Sequence, residues 1–294
     1  MNKVGFIGVG IMGKSMVRNL MKAGFELHIY ARTKSKVEDV ISEGAQFHES
    51  IKDCVQDCDA VITIVGFPQD VEEVYFDEGN ILDSAKEGAY LIDMTTTSPQ
   101  IAEKIYAEGT KRGFHVMDAP VTGGDTGAKA GTLSILVGGE KEDYEACMPL
   151  FEAMGTNINY QGKAGCGQHC KLANQIMIAG TLSGVCEALT YAKEQGLDPE
   201  VFMKSVATGA AGSKQLDTFG PKILNDDYAP GFFMKHFIKD MKLALIEANR
   251  KGLSLDVLSM VLANYEELEQ EGYGDLGTQA LMKFYDEEHR NTEE

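Results

Sequence analysis

The stretch VGFIGVGIMGKSMVRNLMKAGFELHIYARTKSK, residues 4–36, decides how this chain is read. An apolar run at 4–7 meets the turn Gly8-Val9-Gly10-Ile11-Met12-Gly13. An amphipathic stretch at 14–22 and a second apolar run at 26–30 follow. Strand, glycine turn, helix and strand in that order form a dinucleotide-binding unit. Gly8 lets the chain reverse after the strand, Gly10 lets the backbone approach a pyrophosphate, and Gly13 lets the helix pack close to the strand. The phosphates then meet free N–H groups at the helix N-terminus. A glycine-rich turn in an unrelated α/β domain is the competing reading, and the flanking strands argue against it.

The end of the second strand should indicate which dinucleotide is bound. An NAD site usually places an acid there for the ribose 2′-hydroxyl, whereas an NADP site offers a cation and hydroxyls to a 2′-phosphate. Here the strand runs out into Tyr30-Ala31-Arg32-Thr33-Lys34-Ser35-Lys36, with no carboxylate in it. Arg32 carries a planar fork suited to a phosphate, with Thr33 and Lys36 beside it. The expectation is NADP(H) in preference to NAD(H). Arg32 and Lys36 as ordinary solvated charges is the alternative.

The chain has 294 residues, 44% of them hydrophobic, enough to fill two cores. From residue 4 to about 160, apolar runs at 4–7, 26–30, 60–64, 90–93, 115–119 and 133–138 alternate with helix-like segments such as 14–22 and 99–112. That alternation implies an α/β fold with a mostly parallel sheet. After Gly167 strand signals vanish, and 168–195 reads as one long helix apolar on more than one face, hence buried between partners. The expected division is a dinucleotide-binding domain at 1–164 and an all-α domain at 165–294. The acidic end, 286–294, is expected to fray.

The formal net charge of −18 argues against nucleic acid and anionic membranes as partners, though a few local cations can still hold an anionic ligand. The six cysteines (Cys54, Cys58, Cys147, Cys166, Cys170, Cys186) lack CxxC spacing and read as reduced structural thiols. Cys166, His169 and Cys170 have no second ligand pair to make a metal site, so no metal is expected. Apolar runs are broken well short of about 18 residues, so no membrane span is expected. With no secretory leader legible, a cytoplasmic location is expected.

Four segments could carry chemistry. Val65-Gly66-Phe67-Pro68 follows a strand, where doubly wound sheets place their ligand crevice. Asp93-Met94-Thr95-Thr96 offers a hydroxyl at another strand end, or else a helix cap ahead of Ser98 and Pro99. Asp118-Ala119-Pro120-Val121-Thr122-Gly123-Gly124 offers a hydroxyl and backbone N–H groups to a small carboxylate. In Gly165-Cys166-Gly167-Gln168-His169-Cys170-Lys171-Leu172-Ala173-Asn174-Gln175, Lys171 and Asn174 share a face at a helix opening. Helix field and burial there would lower a lysine's proton affinity and suit it to proton transfer. Lys239 is a further candidate cation, and His236 reads as a packing or hydrogen-bonding residue.

With these motifs in order over nearly the whole chain, the sequence resembles the β-hydroxyacid dehydrogenase family. That group contains 3-hydroxyisobutyrate dehydrogenase, tartronate semialdehyde reductase and plant-type glyoxylate/succinic semialdehyde reductases, with domains like those of 6-phosphogluconate dehydrogenase. The residues that carry the resemblance are 5–13, 118–124, 165–175 and Lys239-Asp240. The resemblance implies a Rossmann domain, a long interdomain helix and an all-α domain, often in a homodimer or homotetramer. It implies Lys171 as catalytic lysine and Asn174 as orienting residue. Thr122, Gly123, Gly124 and Lys239 would contact the substrate. Gly8 to Gly13, Arg32, Thr33, Lys36, Val65, Pro68, Thr96 and Lys239 would contact the cofactor. Thr122 stands where the family commonly has Ser, and Ala31 where NADPH-preferring members often have Asn. The implied reaction is NADPH-dependent reduction of a small aldehyde acid: glyoxylate, succinic semialdehyde or tartronate semialdehyde. An imine reductase, which typically lacks the lysine at 171, and a non-catalytic dinucleotide-binding scaffold are the alternatives.

Overall fold

The computed structural model describes residues 1–285; the terminal stretch expected to fray, 286–294, lies outside the described residues. The chain divides into two compact units, Met1–Lys171 and Leu172–Glu294. The first opens with β1 (Lys3–Ile7), α1 (Ile11–Lys22) and β2 (Glu26–Tyr30). It continues through α2 (Glu38–Ser42), β3 (Gln46–Phe47), α3 (Ile51–Val55), β4 (Ala60–Thr63), α4 (Pro68–Phe76), α5 (Ile81–Ser84) and β5 (Tyr90–Asp93). Then come α6 (Pro99–Lys111), β6 (His115–Asp118), β7 (Val121–Thr122), α7 (Gly124–Ala130), β8 (Leu133–Gly138), α8 (Lys141–Ala146), α9 (Met148–Met154) and β9 (Gly155–Gly162).

Among the described residues all nine strands join one sheet in the order β3-β2-β1-β4-β5-β6-β8-β7, with β9 on β8. The pairs from β3 to β6 are parallel, β8 runs antiparallel to β6 and β7, and β9 is parallel to β8. The run 3-2-1-4-5-6 is the doubly wound dinucleotide-binding order, whose connections reverse direction between β1 and β4. Successive strand residues face opposite sides, so Phe6, Ile62 and Ile92 enter one core while Ile7, Val61 and Leu91 enter the other. Strands buried on both faces need the continuous apolar runs that the sequence displays.

The six strands expected from apolar runs all form, with ends within a residue of expectation, and three unexpected ones join them. Strand β9 is mostly exposed and polar, so its hydrogen bonds to β8 rather than an apolar pattern define it. Strands β3 and β7 are two residues each, too short to show a period.

The helices begin where capping chemistry permits. Ser98 accepts from Gln100 N ahead of Pro99, starting α6. The second unit is helical: α10 (Cys166–Glu194), whose opening through Lys171 belongs to the first unit, then α11 (Pro199–Ala207), α12 (Lys214–Leu224), α13 (Met234–Arg250) and α14 (Asp256–Gln270). Leu182, Cys186 and Leu189 of α10 share a core with Phe237, Met241, Val261 and Tyr265. By length and composition α10 could also cross a bilayer, although polar residues and glycines interrupt its apolar runs. Its buried apolar positions are those of a core helix.

Candidate active site

The glycine turn is built as a tight reversal with one open position. A Cβ on Gly8, whose φ is +97°, would lie 2.1 Å from the Ile64 carbonyl oxygen, and one on Gly13 would lie 2.1 Å from the Gly8 carbonyl oxygen. These two glycines are required by neighbouring backbone. Gly10 has no neighbour within 4 Å of a Cβ position. It caps α1, no side chain accepts from the first N–H groups of that helix, and its first turn holds no acid. A helix N-terminus left in this state fits a pyrophosphate. Val9 is buried beneath the turn, while Ile11 is 48% exposed at its rim.

At the end of β2 the structure adds acidic partners to Arg32 that the local sequence does not show. The local sequence contains no carboxylate, yet α4 brings two: Arg32 Nη2 donates to Asp70 Oδ1 and lies 3.4 Å from Glu73 Oε2. Asp70 Oδ2 also accepts from Phe67 N at 2.9 Å, in a box that caps α4 beside Pro68. These carboxylates hold the Arg32 guanidinium above its ordinary value, chiefly through the Asp70 hydrogen bond. Thr33 and Lys36 are exposed at a short 3-10 turn.

The ends of β4 and β5 are tied by a buried polar cluster that sequence reading missed. Thr63 Oγ1 donates to Asp93 Oδ1 at 2.8 Å, and Thr95 N donates to the same oxygen at 3.1 Å. Because the single Thr63 hydroxyl proton goes to Asp93, Tyr75 must be the donor across the 3.2 Å contact between the two hydroxyls. Thr95 Oγ1 accepts from Val65 N at 3.0 Å, which fixes the loop after β4. Asp93 Oδ2 is buried without a hydrogen-bond partner, and burial pushes this carboxyl up to about 6. The alternative role of a helix cap falls to Ser98. Gln168 grips the backbone on both sides of Thr96, donating to Thr95 O at 2.7 Å and accepting from Thr97 N at 3.0 Å.

Asp118 performs the equivalent task at the end of β6. Its Oδ1 accepts from Gly165 N at 2.7 Å and its Oδ2 from Gln168 N at 2.8 Å, so a buried carboxylate sits on the N-terminus of α10. Burial raises its proton affinity, and the two backbone donors oppose the rise. Lys171 therefore projects from a helix opening anchored at two strand ends, and it is only 7% exposed. It lies in the second turn of α10, one step beyond the first turn where a helix field is strongest.

Thr122 ends β7 opposite Ser134, and the chain then turns through Gly123 (φ +129°) and Gly124 (φ +64°) into α7. Two successive positive φ values favour glycine at both positions. Both are exposed, and a Cβ on Gly124 would meet no atom within 4 Å. The hydroxyl of Thr122 thus adjoins backbone open enough to receive a small anion.

In the second unit a polar chain links two expected site residues through two that were not singled out. Asn174 Nδ2 donates to Gln175 Oε1 at 2.8 Å, Gln175 Nε2 donates to Asp240 Oδ2 at 2.7 Å, and Lys239 Nζ pairs with Asp240 Oδ1 at 3.0 Å. Gln175 and Asp240 are buried. A glutamine and an aspartate one position from a named residue carry no distinctive pattern in the sequence. His236 stacks on Phe232 and meets Phe233 edge-on. All six cysteines are free thiols, and burial pushes Cys58 up to about 12.

Comparison with known proteins bears on both units. Residues 3–162 match the family described as the NAD-binding domain of 6-phosphogluconate dehydrogenase. Residues 165–285 match that described as the NAD-binding region of NADP-dependent 3-hydroxyisobutyrate dehydrogenase. The chain is 49% identical to the uncharacterized oxidoreductase YkwC of Bacillus subtilis, over 96% of this chain and 98% of that protein. It is 34% identical to a NAD-dependent L-serine dehydrogenase of Pseudomonas aeruginosa, over 97% and 98% respectively. Among solved structures, 3-hydroxyisobutyrate dehydrogenase of Mycobacterium tuberculosis with L-serine superposes with a TM-score of 0.88 at 27% identity, covering 96% of this chain and 98% of that one.

Proposed function

The chain belongs to the β-hydroxyacid dehydrogenase family, NAD(P)-dependent oxidoreductases, and from that premise we propose that it reduces a small aldehyde acid to the hydroxy acid with NADPH as preferred cofactor. Glyoxylate, succinic semialdehyde and tartronate semialdehyde are the candidate substrates. The observation that carries this reading is Lys171, a lysine 7% exposed on a helix opening that Asp118 and Gln168 fasten to the ends of β5 and β6. Lysine is seldom buried to this degree without a partner or a task.

The residues present fit a dinucleotide. The open Gly10 position and the uncapped start of α1 suit a pyrophosphate, and Ile11, 48% exposed, gives apolar surface at the turn. Arg32, Thr33 and Lys36 would hold the 2′-phosphate end, with Val65, Pro68, Thr96 and Lys239 as further contacts. A bound nicotinamide supplies the hydride for reduction and accepts it in reverse.

Thr122, Gly123 and Gly124 would hold the substrate carboxylate through one hydroxyl and backbone N–H groups. Asn174, one turn after Lys171 on α10, would orient the substrate oxygen. Protonated Lys171 stabilises the negative charge developing on the carbonyl oxygen and then gives that oxygen its proton. In the oxidative direction the neutral lysine takes the proton back.

The test follows absorbance at 340 nm with NADPH and with NADH across the three aldehyde acids and a cyclic imine, and with NADP+ and with NAD+ across L-serine. Rapid NADPH oxidation with one aldehyde acid is the expected result. Turnover of the imine alone would replace this reading with an imine reductase. Dinucleotide binding without turnover of any of the compounds would replace it with a scaffold.

A further inference from the structure

Arg32 reaches its charge partners in an unusual arrangement for a residue expected to meet a phosphate. Its side chain is 63% exposed, and both carboxylates that approach it, Asp70 and Glu73, engage the same nitrogen, Nη2. The two partners differ in freedom. The Asp70 side chain is 18% exposed and is pinned by accepting from Phe67 N at the start of α4, whereas Glu73 is 54% exposed and has no part in that cap. Asp70 cannot swing aside when an anion arrives without uncapping its helix. Lys34 pairs with Glu49, and Lys14 and Arg18 pair with Asp39, while Lys36 is exposed with no ion pair among the described residues.

A 2′-phosphate must therefore share the Nε and Nη1 edge of a guanidinium whose charge two carboxylates already balance. It must also accept their repulsion at a distance where salt screens only partly. A ribose 2′-hydroxyl pays neither penalty. We propose that Asp70 and Glu73 are cofactor-selectivity residues: by holding Arg32, they weaken its preference for the 2′-phosphate and keep the site open to NADH as well as NADPH. This rests on the reading of Arg32 as the 2′-phosphate contact. It adds that selectivity is set from α4 rather than from the end of β2 alone.

The test measures calorimetric affinity for 2′,5′-ADP and for 5′-AMP, at low and high salt, in the wild type and in Glu73→Gln, Asp70→Asn and Arg32→Ala. Asparagine at 70 keeps an oxygen for Phe67 N, and Glu73→Gln leaves the cap untouched. The expected result is that Glu73→Gln tightens 2′,5′-ADP about threefold and Asp70→Asn about tenfold. Affinity for 5′-AMP stays constant, and Arg32→Ala weakens 2′,5′-ADP alone. The NADPH-to-NADH ratio of kcat/KM should move in the same sense. If Arg32→Ala weakens 2′,5′-ADP while both carboxylate variants leave it unchanged, the selectivity role is overturned and the phosphate contact stands. If Arg32→Ala leaves 2′,5′-ADP unchanged, the phosphate contact falls and the selectivity role with it.

Discussion

Gln175 donates its side-chain N–H to the buried carboxylate of Asp240 at 2.7 Å, and this one bond orients a neighbouring side chain. A carboxylate accepts, so the Gln175 amide nitrogen must face it and the Gln175 oxygen must face Asn174. Asn174 spends a donor on that oxygen at 2.8 Å, and its own carbonyl oxygen is turned away from Gln175. Asp240, itself paired with Lys239, thereby sets which atom Asn174 presents.

Gln175→Leu should cost about 2–4 kcal/mol of stability, because it strips a buried carboxylate of its amide donor and leaves Asn174 without its acceptor. Urea unfolding measures the loss. A cost below about 0.5 kcal/mol would mean that the chain of bonds contributes nothing to the fold.

Lys171→Ala should keep the fold and the dinucleotide affinity while turnover falls by about a hundred- to ten-thousandfold. Calorimetric NADPH binding and steady-state kinetics on the best aldehyde acid check the two halves separately. Near-normal turnover would remove Lys171 from the mechanism.

The glycine turn separates fold from binding. Gly10 has φ −87° and open space around its Cβ position, so Gly10→Ala should unfold at the wild-type urea midpoint while losing at least about tenfold in NADPH affinity. Gly13→Ala drives a methyl to 2.1 Å from the Gly8 carbonyl oxygen, so it should cost about 1–3 kcal/mol before any ligand is added. Equal stability losses in the two variants would contradict the division of roles.

Asp93 predicts a pH effect of definite sign. Its carboxyl lies at about 6 in the fold against an ordinary 3.8, so between those values the folded chain holds more protons than the unfolded one. Stability from this group is then fully present below about pH 4 and falls as pH rises, by about 3 kcal/mol on reaching pH 7. Asp93→Asn removes the titration, so its stability relative to wild type should improve between pH 4.5 and 7.5. Urea midpoints that shift in parallel across this range would refute the burial argument.

The sequence by itself determined the dinucleotide-binding fold and pointed to candidate residues for chemistry. The apolar runs of strands buried on both faces, the spacing of Gly8, Gly10 and Gly13, and the cap at Ser98 are local signals, each readable within a few residues. Lys171, Thr122 and Thr96 were legible for the same reason, through short motifs at expected strand ends or helix starts. The tertiary structure alone decided what holds these residues and what offsets their charge. Asp70 lies 38 positions from Arg32, Gln168 lies 73 from Thr95, and Asp240 lies 65 from Gln175. No local pattern records such pairs, because a buried carboxylate or amide chooses its partner from whatever the packed sheet and helices bring within hydrogen-bonding distance. Strand β9 is the same lesson in the backbone, a polar edge that becomes a strand only through the ladder it forms with β8.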